Sequence, residues 1–285
     1  VADSSTQAAV QEILRYQFAR NQLAKATDHL SVEEPLEIII DFHKKNSSSP
    51  ELMTLAITMR TPGHDEELAA GFLFAEGLIN TNADICKITR DEESPGPANT
   101  IVVTLMDALD IEPDRLQRHF YTNSSCGVCG KTSMRALELL HQPALTPAEP
   151  VIRSRTLCQL PLRLREHQQQ FANTGGVHAA ALFSPAGELL LLREDVGRHN
   201  AMDKLIGACA LQDRLPMLKE SLILVSGRSS FELVQKALMA DVPILAAIGA
   251  PTSLAVQLAA RHDLTLIGFL KADSFNIYHS PERVI

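Results

Sequence analysis

Between residues 221 and 270, three short apolar runs (SLILV, VPILAAIG and LTLIGFL) alternate with two segments of helical period, FELVQKALMA and LAVQLAARH. Strand, helix, strand, helix, strand is a βαβαβ order. Crossovers of that kind are right-handed and make neighbouring strands parallel. No other feature of the chain restricts its fold as much. Upstream, VHAAALF and ELLLL flank SPAG, a type I turn sequence with Pro in second place and Gly in fourth. That predicts an antiparallel hairpin and therefore a mixed sheet. NAMDKLIGACAL, between this hairpin and the first parallel strand, reads as a helix. Ser229 ahead of FELVQKALMA, with Glu232 three residues on, has the spacing of a capping box.

In open sheets of this type, ligands sit outside the carboxyl ends of the strands. The loops predicted there are REDVGRH (193–199), SGRSS (226–230), GAPTS (249–253) and KADS (271–274). They gather Arg193, Arg198, His199, Arg228 and Lys271 in a chain whose net charge is −8. Two of these loops open helices, whose free N–H groups favour anions. A phosphate-bearing ligand is the expectation, and the plain alternative is that the arginines make ordinary salt bridges. An acidic chain does not suit a nucleic-acid surface. No apolar run reaches membrane-spanning length, and VADSSTQAAV lacks a basic segment followed by an apolar one. The expectation is a cytoplasmic protein with no membrane partner.

Upstream of this unit, PLEIIIDF and ELMTLAITMR read as a hairpin joined by the polar KKNSSSP. TPGHDEELAAGFLFAEGLI reads as a helix with acids in its first turn, where they suit the helix dipole. ICKITRD and TIVVTLM are two more strands, split by EESPGPAN. Residues 4–28 place Ala9, Ile13, Leu14 and Phe18 at helical spacing, which predicts an N-terminal helical arm. Pro143, Pro147, Pro150 and Pro161 mark residues 143–161 as an extended connector, with a helix ending near Phe171 to follow. The domains expected are an arm over 1–30, a small α+β domain over 31–125, a cysteine loop, helix and connector over 126–161, and an α/β domain over 162–285.

The stretch SSCGVCGKTS (124–133) holds Cys126 and Cys129. It nearly matches a phosphate loop, but its first Gly is replaced by Ser125 and LQRHFYTNS ahead of it does not read as a buried strand. A zinc site needs four ligands, and there is no second Cys-x2-Cys. A zinc deaminase needs His-x-Glu before its cysteines, whereas His178-Ala179-Ala180 comes after them and lacks the Glu. A dithiol redox pair and a sulfur carrier both use a low-pKa thiolate, which the following helix and Lys131 favour. Gly127 and Gly130 supply mobility for either. The residues alone leave those two open, along with a zinc site, less readily a phosphate loop, and an idle pair in a turn. Cys86 and Cys209, in ADICKI and IGACAL, and Cys158 read as small core hydrophobes.

The set CGVCG, GGVHAAALF, EDVGRHNAMDKLIG, SGRSSFELVQKALMA and LTLIGF, with PGHDEELAAGFLFAEGLI upstream, resembles the FdhD/NarQ family of formate dehydrogenase accessory proteins from about residue 33 onward. The resemblance implies a cytidine deaminase-like mixed-sheet α-β-α domain without zinc, joined to a smaller α+β domain. It implies a sulfurtransferase, persulfidated at Cys126 by a cysteine desulfurase and assisted by Cys129. The acceptor implied is the molybdenum bis-pyranopterin guanine dinucleotide cofactor of formate dehydrogenase, bound as substrate in a site that a guanine nucleotide such as GDP also fits. A homodimer is implied too. The resemblance puts cofactor binding at Phe269, Leu270, Lys271, Ala272, Asp273 and Ser274. Where the family has Lys-Pro-Gly-Arg, this chain keeps Lys271 but has Ala272, Asp273 and Ser274, losing an arginine contact and adding a negative charge. Chemistry adds Arg198, His199, Ser226 and Arg228 as phosphate contacts, with Ser229 and Ser230 beside them. His178 either lines the site or is a core histidine, and Asp195 and Asp203 are candidates for positioning Arg198 or Lys204. The competing readings are a cofactor chaperone that handles no sulfur and a thiol–disulfide oxidoreductase.

Overall fold

The computed structural model describes residues 9–19, 21–43, 50–90, 99–107, 109, 145 and 149–285. Cys126, Cys129 and the helix expected after them lie outside the described residues, as do the KKNSSS turn and the loop over 91–98.

The βαβαβ run is present. Strands β9 (Leu222–Val225), β10 (Ile244–Ala247) and β11 (Thr265–Gly268) are parallel. Helices α6 (Phe231–Met239) and α7 (Ser253–Arg261) connect them. The hairpin of β7 (His178–Phe183) and β8 (Leu189–Asp195) joins antiparallel beside β9, and the N–H of Gly187 closes its turn on the carbonyl of Ser184 at 2.8 Å. The mixed α/β expectation is borne out. One strand more than expected is present: LTLIGFL is not the last, because β12 (Asn276–His279) pairs antiparallel on the outer edge, giving the order β12-β11-β10-β9-β7-β8. Asn276–His279 is too short to show a period, and only pairing with β11 makes it a strand.

Both faces of this six-stranded sheet are covered. Alternate residues Leu222, Leu224, Ile244, Ala246 and Ile267 pack with Leu157, Leu160 and Leu164 of α2 (Ser154–His167). Their neighbours Ile223, Val225, Leu245, Ala247 and Leu266 face the core built with α4 (Arg198–Leu211), Leu218 of the short α5 (Leu215–Lys219) and α6. The connector expected over 143–161 is therefore shorter than its prolines suggest, because α2 runs from Ser154 through Pro161. The leucine stripe outweighs the hydrogen bond that Pro161 forgoes. Helix α3 (Gln169–Thr174) follows and carries the chain past Phe171 to an αL Gly175.

The small α+β unit is also present. Its sheet has the order β4-β3-β6-β5, from β3 (Glu34–His43), β4 (Pro50–Arg60), β5 (Ile85–Arg90) and β6 (Thr100–Leu105). Only one face, carrying Leu36, Ile38, Ile40, Ile101 and Val103, enters the core. Helix α1 (Asp65–Ala75) covers that face and crosses α4 at two glycines. A Cβ on Gly71 would stand 1.9 Å from the carbonyl oxygen of Asp203, and one on Gly207 would stand 1.8 Å from that of Glu67. The backbones touch, so one core runs through both units.

The N-terminal helix is overturned. Residues 10–31 form an antiparallel hairpin of β1 (Val10–Ala19) and β2 (Gln22–Ser31). Its two-residue turn contains Asn21 at φ 60°, a conformation such turns require. Leu14, Tyr16 and Phe18 alternate at the period of a strand, and the helical spacing of Ile13, Leu14 and Phe18 is a coincidence of the same residues.

Candidate functional site

Strand β8 runs parallel to β9, so the carboxyl ends of β8, β9, β10 and β11 share one edge with the start of β7. The backbone rises there as a crest. The N–H of Gly249 donates to the carbonyl of Gly227 at 2.9 Å, and the N–H of Phe269 donates to that of Gly249 at 3.0 Å. Approach this close requires glycine, because a Cβ on Gly249 would lie 2.8 Å from the Gly227 oxygen. Phe269 itself sits at φ 53° and is 42 % exposed. That conformation is uncommon for a bulky side chain.

The segment 269–274 follows from the crest. Leu270 is buried, while Lys271, Ala272, Asp273 and Ser274 are exposed. The N–H of Lys271 donates to the carbonyl of Ser274 at 2.8 Å, and the Ser274 hydroxyl donates to Oδ1 of Asp273 at 3.0 Å. Phe269, Lys271, Ser274, Phe275 and Asn276 line a cleft of about 280 Å³.

The cationic residues divide into two groups. Arg198 and His199 open α4 at this edge, and Arg228 is exposed beyond β9. Arg193 does not join them, because it lies within β8 and its Nη2 donates to Oε1 of Glu67 at 2.7 Å. His178 does join them. A Cβ on Gly227 would lie 3.3 Å from Nδ1 of His178 and 3.8 Å from Cδ of Arg198, so both side chains pack on the Gly227 backbone. Burial pushes the His178 pKa down, and the charges of Arg198 and His199 push it further against an opposing pull from Asp195. His178 is thus neutral near pH 7 and presents a polar ring to the edge.

Ser229 does not cap α6. The N-cap is Ser230, and its side chain makes no capping bond. Glu232, the expected partner in a capping box, instead binds His199, with Oε2 2.9 Å from Nε2. The Ser230 hydroxyl is 3.2 Å from the same nitrogen. The contact with His199 replaces the cap. Ser226 also has a structural task, since its hydroxyl accepts from the N–H of Ala179 at 2.9 Å.

Three buried atoms in this neighbourhood have no hydrogen-bond partner: Nε of Arg198, Oγ of Ser229 and Oε1 of Glu232. An unpaired buried polar atom costs about 1–3 kcal/mol. Arg198 opens α4, Ser229 lies in the loop after β9 and Glu232 is in the first turn of α6, so all three gather where the chain leaves β8 and β9 and enters the following helices. Sequence reasoning found Arg198 but missed Glu232, which it assigned to a helix cap.

Asp195 holds the loop ahead of Arg198. It is fully buried, with Oδ1 accepting from Gly197 N at 2.8 Å and Oδ2 2.7 Å from Nζ of Lys204. Oδ2 also accepts from Thr61 N at 3.1 Å, and Nζ donates to the Thr61 carbonyl at 2.8 Å. Asp203 serves a different lysine, Lys236, at 2.6 Å. Cys209 is buried, which pushes its thiol up to about 11, and it is a core residue as expected. Cys86 is exposed, against expectation, because it sits on a turn of register in the edge strand β5. Among the described residues no group of three or more His, Cys, Asp or Glu is arranged to hold a metal. No helix among them is long and apolar enough to cross a membrane.

The sequence model of the FdhD/NarQ family matches residues 31–285. A protein from Mycolicibacterium paratuberculosis named Sulfur carrier protein FdhD is 46 % identical over 261 residues, covering 90 % of this chain and 91 % of its own. One of the same name from Sulfolobus acidocaldarius is 44 % identical over 261 residues, covering 92 % and 93 %. A crystal structure from Desulfotalea psychrophila, described as a formate dehydrogenase accessory protein, superimposes with a TM-score of 0.72 at 22 % identity, covering 97 % of this chain and all of that one. At that identity the likeness concerns the fold.

Proposed function

The chain belongs to the FdhD/NarQ family, and from that premise we propose that it is a sulfur carrier acting in formate dehydrogenase maturation. Cys126 takes sulfur from a cysteine desulfurase. Its thiolate attacks the outer sulfur of the desulfurase persulfide, the donor cysteine leaves as thiolate, and Cys126 becomes Cys126–S–SH. Cys129 then serves as resolving thiolate. Attack on the inner sulfur forms a Cys126–Cys129 disulfide and expels hydrosulfide toward the acceptor, and a cellular dithiol reduces the disulfide afterwards. The acceptor is the molybdenum bis-pyranopterin guanine dinucleotide cofactor, bound as substrate along the strand-end crest, and the reaction takes place in the cytoplasm.

The observation that carries this reading is the set of unpartnered polar atoms on Arg198, Ser229 and Glu232 beside the exposed Arg228 and Lys271. Arg198, Arg228 and Lys271 suit phosphates, through bidentate or point-charge contacts. The ring of Phe269 offers a stacking face for a base. Glu232 offers an acceptor that phosphate does not need and a guanine or pterin N–H does. A redox dithiol needs none of this, so the oxidoreductase reading gains no support from the crest.

The test is complementation in a strain lacking its own accessory protein. The wild type restores formate dehydrogenase activity. Cys126→Ala loses it while keeping guanosine diphosphate binding. Full activity from Cys126→Ala would replace the sulfur carrier with a cofactor chaperone.

A further inference from the structure

The strand-end crest belongs to the six-stranded sheet, yet the turn that carries its first cation is gripped by the small α+β unit. Arg198 and His199 open α4, and the N-cap ahead of them is Gly197. Glycine has no side chain to accept from the first turn, so the N–H groups of Arg198, His199 and Asn200 have no partner inside the helix. Asn200 stands at the third helical position, from which a longer polar side chain reaches back to the cap. Here the side chain turns to the end of β4 instead. Its Nδ2 donates to the carbonyl of Met59 at 2.8 Å, and its Oδ1 accepts from the Thr58 hydroxyl at 3.1 Å. The same Nδ2 lies 3.2 Å from Oδ1 of Asp195.

Thr61, the residue after β4, completes the grip. It is buried, and each of its polar groups meets the other unit. Its N–H donates to Oδ2 of Asp195 at 3.1 Å, its hydroxyl accepts from the N–H of Val196 at 3.1 Å, and its carbonyl accepts from Nζ of Lys204 at 2.8 Å. Holding the two units together does not require this. Helices α1 and α4 already do so, with backbones touching at Gly71 and Gly207. The polar grip is concentrated on residues 195–200, the stretch that directs Arg198.

We propose that Thr61 and Asn200 are positioning residues for the anion site. Through them the small unit sets the turn over 195–200 and so aims the Arg198 guanidinium at the diphosphate of a bound nucleotide. The ligand in this inference rests on the functional reading above, whereas the held turn rests on hydrogen bonds alone. A guanidinium binds phosphate best when two of its N–H groups meet two oxygens, so its strength depends on direction. Cδ of Arg198 packs on the Gly227 backbone, and the turn at the base of the side chain decides where the fork points.

Calorimetric titration of guanosine diphosphate into the full chain, together with amide hydrogen exchange, tests this. Thr61→Val keeps the shape of the side chain and removes the acceptor of the Val196 N–H. It raises exchange over 196–200 with or without nucleotide and weakens binding about tenfold. Asn200→Ala does the same. Thr61→Ser, which keeps the oxygen, binds within about twofold of the wild type. In an Arg198→Met chain, Thr61→Val weakens binding by no more than about twofold further, because its route of action is already gone. Unchanged exchange over 196–200, a lower melting temperature with unchanged affinity, or losses that simply multiply in the double variant would each overturn the proposal. A wild type that binds no guanosine diphosphate would overturn the functional reading and the ligand named here with it. Normal wild-type binding that Thr61→Val leaves untouched would overturn the positioning role alone.

Discussion

The two large sheets of this molecule differ in what they leave open. The six-stranded sheet is covered on both faces, and beneath its strand-end edge three buried polar atoms lack partners. The four-stranded sheet is covered on one face, and what it exposes is apolar. Each is a local violation of the rule that folding satisfies, and the kind of violation indicates the kind of missing partner. Unpaired donors and acceptors call for a small polar ligand. Uncovered leucine, isoleucine and methionine call for protein. The joint between the units is the reverse of both, since its buried charges are paired and its helices touch.

That contrast is broken most severely at the joint. Asp195→Ala leaves the ammonium of Lys204 buried with the Thr61 carbonyl and no counter-charge. We expect a loss of about 3–5 kcal/mol in urea denaturation, a large share of the stability of an ordinary domain. Asn at the same position keeps the shape but not the charge and falls between.

The pH dependence sharpens the same comparison. Burial alone would raise the Glu67 carboxyl, but hydrogen bonds and charges from Arg193 and His64 outweigh it and hold it at about 2, against 4.5 for the free group. A carboxyl depressed on folding stabilises fully above its unfolded value and loses that contribution as pH falls toward its folded one. Between pH 4.5 and about 2 the wild type should therefore lose up to about 3 kcal/mol that Glu67→Gln never had. Thermal melts across that window check the difference in slope.

The smallest effect on folding is expected at the crest, together with a clear effect on binding. Nε of Arg198 has no partner to lose. Arg198→Met should shift stability by less than about 1 kcal/mol and weaken guanosine diphosphate binding about ten- to a hundredfold in calorimetry. A large loss of stability with unchanged affinity would make Arg198 structural.

The parts of the fold legible in the sequence were those where packing agrees with local pattern. SLILV, VPILAAIG and LTLIGFL are buried on both faces, and nothing but a central strand suits them. The hairpin over 10–31 misled because it has no buried face in this chain, so its apolar spacing carried no core signal. Pro161 misled because it marks a break only where no apolar stripe holds the helix together. At the site, the rule of strand ends located Arg198, His199 and Arg228 without any contact information. It could not foresee that Arg193, four residues before Gly197, turns to Glu67, because that carboxylate is 126 positions away in the chain. Nor could local spacing reveal that Glu232 prefers His199 to its own helix cap.

The central claim is that Cys126 holds sulfur. Its most direct test is intact-protein mass spectrometry of the wild type, Cys126→Ala and Cys129→Ala after incubation with a cysteine desulfurase and cysteine, without reductant. The account predicts a gain of one sulfur atom that dithiothreitol removes, present in the wild type and absent from Cys126→Ala. No gain in any sample, with the desulfurase active on another acceptor, would contradict it.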